Sequence, residues 1–239
     1  TGDVTTGNTS TSYFSGAITG NVNLGHNSNS TFAFAGAILG KVTVGREARA
    51  YFAIQKIESS VAGNFFYISA NAVVELVDTA IVCTVPGGTV LTNYGSQVVL
   101  VGASSTIGDA TNPINLTIGP NGSFLTSAAI TGNVLTGTNS KAYFSDTITG
   151  SLYFSSLSKV RPLNLTVPAG GSVTFEQQVN LNLGASTITL GAGVTSTAGK
   201  LNTIYHSNWA GVSAAAKTAF NYTAGVMSSA ATGSNLSNL

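Results

Sequence analysis

Apolar and polar positions alternate along this chain over unusually long stretches. In "YFSGAITGNVNLG" (13–25), Phe14, Gly16, Ile18, Gly20, Val22 and Leu24 share one parity. In "FAFAGAILGKVTVG" (32–45) the same parity holds Phe34, Gly36, Ile38, Gly40, Val42 and Val44. "FLTSAAITGNVLTG" (124–137) and "YFSDTITGSLYFS" (143–155) repeat the sentence, the latter through Phe144, Ile148, Gly150, Leu152 and Phe154. A period of two sustained over about eleven residues predicts a long, half-buried β-strand. The opposite parity of the first copy (Ser15, Ala17, Thr19, Asn21, Asn23) is small and polar, as a solvated face requires.

"HNSNS" (26–30), "GREA" (45–48) and "GTNSK" (137–141) separate the strands with turn chemistry. Strand plus turn gives a step of 19 residues between the first two copies. The fold class expected is therefore all-β. The unbroken alternation favours long antiparallel strands in a jelly-roll-like β-sandwich, because solenoid corners interrupt alternation. A β-solenoid with coils of about 19 residues is the alternative. The glycines on the apolar parity admit two readings: a neighbouring aromatic ring lies across the gap, which is favoured, or a second sheet or chain approaches closely.

A second motif suggests duplication. "IVCTVPGGTV" (81–90), "INLTIGPNGSF" (114–124) and "LNLTVPAGGSV" (163–173) each read as strand, Pro/Gly turn, strand. "QVVLVGASSTIG" (97–108) also matches "QVNLNLGASTITLG" (178–191). The organisation expected is an N-terminal arm (1–12), a first β half (13–110), a related second half (111–200), and a C-terminal helix and tail (201–239). The helix is placed at 209–224, where Trp209, Val212, Ala216, Phe220 and Thr223 fall at helical spacing behind a cap at Ser207 or Asn208.

Composition changes the picture in one respect. Apolar residues make up 43% of 239, but charged residues only 7%, far below the roughly 25% of an average soluble domain. Mean hydropathy is +0.30, which argues against disorder. A surface of Ser, Thr, Asn and Gly has little self-repulsion and tends to associate. Nine basic and eight acidic residues give a net charge of +1 and indicate no basic patch, so no nucleic-acid partner is expected. No apolar stretch is long enough for a transmembrane helix. No signal peptide is visible, and a chain opening on Thr1 reads as processed or trimmed.

Candidate chemistry is sparse. Cys83, the one cysteine, sits in the apolar run "AIVCTV" and reads as a buried small hydrophobe. His26 and His206 read as surface residues, and no metal-ligand spacing or nucleophile elbow occurs. Glu75 and Asp78 fall on opposite strand faces, while Asp109 and Asp146 belong to different loops, so no carboxylate pair for glycoside hydrolysis is indicated. Arg46, Glu47 and Arg49 form a charged turn, either solvated or at a subunit contact. No enzyme activity and no cofactor are expected. Asn-x-Ser/Thr acceptors occur at Asn8, Asn29, Asn115, Asn121, Asn164, Asn221 and Asn235.

Long alternating strands, very low charge and a polar N-terminal arm resemble self-assembling extracellular β-filament subunits, the archaeal thread and TasA-like pilins. The resemblance implies donor-strand complementation, with a strand within 1–24 completing the next subunit and Phe14, Ile18 and Val22 as pocket fillers. The function expected is a structural subunit of an extracellular or cell-surface filament, pilus, sheath or layer, with itself as partner. An ice- or glycan-binding β-protein, with surface glycans as partners, is the alternative.

Overall fold

The computed structural model describes residues 2–161, 164–184, 186–198, 202–205, 213–216 and 226–228. It is all-β, and every strand pairing is parallel. The chain winds as a β-solenoid of about nine turns, so the antiparallel sandwich is corrected and the solenoid alternative holds. Coil 1 contains β1 (Val4–Thr5), β2 (Thr11–Phe14) and β3 (Ile18–Thr19). Coil 2 contains β4 (Val22–Leu24) and β5 (Asn29–Leu39), and coil 3 contains β6 (Val42–Val44) and β7 (Arg49–Ser59). Coil 4 has β8 (Gly63–Ile68), β9 (Val73–Val77) and β10 (Ala80–Cys83), and coil 5 has β11 (Gly88–Thr92), β12 (Gln97–Val101) and β13 (Thr106–Ile107). Coil 6 has β14 (Ile114–Ile118), β15 (Ser123–Thr126) and β16 (Ala129–Thr131), and coil 7 has β17 (Val134–Thr136), β18 (Lys141–Phe144) and β19 (Thr147–Thr149). Coil 8 has β20 (Leu152–Phe154), β21 (Lys159–Arg161) and β22 (Asn164–Val167), and coil 9 has β23 (Ser172–Phe175), β24 (Asn180–Asn182) and β25 (Ile188–Leu190). β26 (Thr195–Ala198), β27 (Asn202–Tyr205) and β28 (Val226–Ser228) follow.

Each coil contributes to three ladders. The first runs through β1, β4, β6, β8, β11, β14, β17, β20, β23 and β26. The second and third meet in the eleven-residue strands β5 and β7, which cross the corner between faces without ending. A register shift between Phe34 and Ala37 marks that corner: one residue more on β5 than on β7 bends the strand. This is why alternation survives a solenoid corner and suggested a flat sheet.

Identical side chains stack because coils lie in register. The third face carries one inward column: Ile18, Ile38, Ile57, Ile81, Ile107, Ile130, Ile148, Leu165 and Ile188. The "ITG" and "ILG" of the sequence repeats are this column and its corner. On the second face Phe14, Phe32 and Phe52 stack at ring spacings of 4.6 and 4.8 Å, with Phe66 edge-on to Phe52. Aromatic stacking adds to the area these rings bury.

Glycines at the corner into the first face are required by approach of the neighbouring coil. A Cβ on Gly40 would lie 2.2 Å from the Gly20 carbonyl oxygen, and one on Gly150 would lie 2.0 Å from that of Gly132. Close approach therefore governs these positions rather than a covering ring. Gly36 does face the Phe34 ring, at 3.2 Å, as well as Ala17.

Turns between the first and second faces repeat too. Their third residue is left-handed in nine coils (Thr9, Asn27, Glu47, Asn71, Gly95, Asn121, Asn139, Leu157 and Gln178), with φ between 53° and 65°. Asn suits that region best among residues with a side chain. The Thr9 N–H donates to the His26 carbonyl at 2.8 Å, and each later turn down to Leu157 donates likewise to the next. From Ser28 to Ser158 the fourth turn residue is small and buried, and the hydroxyls of Ser28, Ser140 and Ser158 have no partner there.

Residues 4–5 and 11–12 of the expected arm are strands of coil 1. The coil-to-coil pairing crosses residues 110–111 through β11 and β14. The stretches 81–90 and 163–173 both turn from the third face to the first, whereas 114–124 turns from the first to the second. Of the helix expected over 209–224, residues 214–216 are helical with Ala216 buried. Trp209, Val212, Phe220 and Thr223 lie outside the described residues. Among the described residues no helix is long and apolar enough to cross a membrane.

Candidate functional site

Three places carry the sequence-level candidates. The first is the edge of coil 1. There β1 pairs only with β4, and β2 and β3 pair only with β5, among the described residues. Asn29 N–H donates to the Ser10 carbonyl, so in an alternating parallel ladder the backbone groups of Thr11 and Tyr13 point away from coil 2. Likewise Val4 and Thr6 N–H donate to Asn21 and Asn23, leaving those of Asp3 and Thr5 outward. Among the described residues the edge carries one charged side chain, Asp3, whose Oδ1 accepts from Asn21 N–H at 2.7 Å. Phe14 closes the phenylalanine stack and is half-buried, with its outer side at the edge. Ile18 is 7% exposed and Val22 fully buried, both packed in the chain's own core.

The second place is a groove of about 470 Å³ where the third face turns into the first, over coils 6 to 8. Thr131, Gly132, Asn133, Thr149, Gly150 and Pro168 are among the residues that line it. The hydroxyl column continues: Thr131, Thr149, Thr166 and Thr189 are register partners on successive coils. Coils 7, 8 and 9 thus present "TIT", "NLT" and "TIT" as stacked rows. Each Thr-x-Thr unit is short and isolated along the chain, and the rank forms only because successive units stack a coil apart. Amide side chains tie the coils together here: Asn115 Oδ1 accepts from Asn133 N–H at 3.3 Å, and Asn133 Oδ1 from Ser151 N–H at 2.9 Å.

The third place is the turn above coil 9. Tyr153 O–H donates to Glu176 Oε1, while Ser156 N–H and Oγ–H donate to Oε2 at 2.8 and 2.9 Å. The Tyr153 bond first, then the Ser156 amide, holds the Glu176 carboxyl below its ordinary range. The same bond, with burial and the Glu176 charge, raises the Tyr153 phenol. Both carboxylate oxygens are engaged, so the trio is a clamp between coils 8 and 9 rather than a free base.

The remaining candidates stay apart. Cys83 is fully buried, its sulfur 3.7 Å from the Val61 carbonyl. His26 Nδ1 accepts from Arg46 N–H at 3.1 Å. Arg46 pairs with Glu47 at 3.0 Å on the surface. Glu75 is exposed on β9, and Asp78 sits at the next corner with a left-handed backbone. Asp109 accepts from Thr111 and Asn112 in its own loop, and Asp146 from Thr147. Among the described residues no cluster of His, Cys, Asp or Glu could hold a metal. Asn8, Asn29 and Asn121 are exposed and Asn115 and Asn164 half-buried. Asn221, Asn235 and His206 lie outside the described residues. Comparisons of the chain with protein-family models, curated proteins and solved structures find no match.

Proposed function

We propose that the chain is a structural subunit of an extracellular or cell-surface filament, sheath or layer, joined to copies of itself by strand pairing at the coil 1 edge. The observation that carries this reading is that edge: two strands, β1 and β2, with outward backbone groups, next to no charge, and an aromatic stack ending in a half-buried ring. Natural sheets block such edges with charges, prolines or covering segments. Pairing runs edge to edge rather than by strand exchange, because Ile18 and Val22 already fill their own coil and would have to leave it to serve another subunit. The hydroxyl- and amide-rich surface and the exposed acceptors Asn8, Asn29 and Asn121 support an extracellular setting.

Tyr13→Pro tests the proposal. Its N–H points outward, so the variant keeps the internal ladder and blocks the edge. Wild-type protein is expected to sediment as polymer and the variant as a folded monomer. Polymer of equal amount and length from the variant would overturn edge pairing, and wild type that stays monomeric at high concentration would overturn the function.

A second reading has its own observation. The Thr131, Thr149, Thr166 and Thr189 column favours binding of a hydroxylated ligand, a glycan or an ice surface. Thr149→Leu in the Tyr13→Pro background, assayed for glycan-array binding and ice-growth inhibition, separates it from the first: loss of a wild-type signal supports it, and no signal from either protein removes it.

A further inference from the structure

Seven of the nine basic residues lie among the described residues, and three of those seven share one patch. Lys141 and Lys159 are direct register partners on β18 and β21. Arg161 follows two residues on from Lys159, on the same outward face, and is the register partner of Tyr143. The four side chains therefore occupy the corners of a quadrilateral. Its sides are one interstrand spacing, about 4.8 Å, and one two-residue step, roughly 6.6 Å.

This arrangement has a cost. Like charges directly opposite each other in a sheet repel. Two of the other four described basic residues are neutralised: Arg46 pairs with Glu47, and Lys56 with Glu58 at 2.6 Å. None of Lys141, Lys159 and Arg161 has an acidic partner within ion-pair distance among the described residues. The nearest acids by position are Asp146 and Glu176. Asp146 is turned to its own Thr147 N–H, and Glu176 is held by Tyr153 and Ser156. The only acid on this face, Glu75, lies three coils away.

We infer that Lys141, Lys159, Arg161 and Tyr143 form a binding site for an acidic polysaccharide, one carrying sulfate or uronate groups. Arg161 offers a planar fork for two oxygens of such a group, the two ammonium groups offer point charges, and Tyr143 offers a ring and a hydroxyl. A single anionic group seated among them removes the repulsion. The flanking coils present neutral polar groups in line with the lysines, Ser123 and Gln97 on one side and Asn180 and Thr203 on the other. A chain lying along the solenoid axis thus meets cations over two coils and hydroxyl or amide groups beyond them. That alternation suits a polymer with acidic groups set among neutral sugar hydroxyls. It does not suit duplex nucleic acid, whose charge falls every ≈1.7 Å and calls for a continuous basic track. The three cations are 18 and 2 residues apart, so no basic run betrays them in the sequence.

The inference does not depend on subunit assembly and is tested in the Tyr13→Pro background, with immobilised heparin as probe. Binding is expected to fall steeply with salt and to drop at least tenfold in K141Q/K159Q/R161Q. R49Q, on the same face but four coils away from Lys141, should bind as the background does. K141R/K159R keeps the charge and should keep binding, which guards against a folding artefact. Heparin should raise Tm of the background protein and leave that of the triple variant unchanged. Heparin stripped of sulfate but keeping its carboxylates distinguishes the two anionic groups: retained binding assigns uronate, and lost binding assigns sulfate. Unchanged binding by the triple variant, no binding by the background protein at physiological salt, or tighter binding of duplex DNA than of heparin would each overturn the assignment.

Discussion

Coils 2 and 3 and coils 6 to 8 are built from the same parts and solve the corner problem differently. In coils 2 and 3 one strand of eleven residues serves two faces, that of coil 2 bent by a bulge, and the interior holds stacked phenylalanine rings. In coils 6 to 8 each face has its own short strand, and Phe124 and Phe144 sit tilted at 6.4 Å instead of stacked. Coils 6 to 8 carry the threonine column on the third face, the groove where the third face turns into the first, and the basic patch on the second face.

The contrast can be broken from either side. Phe52→Ala removes the ring touching both Phe32 and Phe66 and should cost about 3–5 kcal/mol in urea unfolding. Phe14→Ala, half-buried at the end of the same stack, should cost less than about 2 kcal/mol. Equal losses would mean that the stack does not deepen inward from the edge. In coils 6 to 8, Gly150→Ala forces a Cβ against the Gly132 carbonyl and should destabilise by about 1–3 kcal/mol or more, read from the same unfolding curves. A neutral result would refute the close coil approach. Asn133→Ala removes an acceptor for the Ser151 amide at an exposed corner and should cost only about 0.5–1.5 kcal/mol.

A smaller, pH-dependent effect comes from the clamp at Glu176. Its carboxyl is lowered in the folded protein, so its stabilisation is present above the ordinary glutamate range and is lost as pH falls through the folded value. Tyr153 is raised, so its share is present below the ordinary phenol range and is lost at alkaline pH. Comparing Tm against pH for wild type and Glu176→Gln should show a difference at neutral pH that closes in acid. Parallel curves across the acid range would remove the clamp.

Much of this was legible in the residues. The four "ITG"-type repeats mark coil corners, with Ile inward, Thr outward and Gly where backbones meet. The step of about nineteen residues fits both a strand plus turn and one solenoid coil, and it is a coil. What misled was the alternation across 29–44. A bulge lets a strand turn a corner while its side chains keep alternating, and its one mark here, Gly36 within the strand, equally fits packing against a ring or a neighbouring coil. Parallel stacking also hid the outer surface. Thr131 and Thr149, or Lys141 and Lys159, are neighbours through hydrogen bonds between coils, and a reading confined to local windows cannot bring them together.

Edge pairing at coil 1 is tested most directly by fibre diffraction from oriented wild-type assemblies. Coils continuing through the subunit boundary require the reflection near 4.8 Å to lie on the meridian, along the filament axis. A reflection of that spacing on the equator, or protein that never assembles, would contradict it.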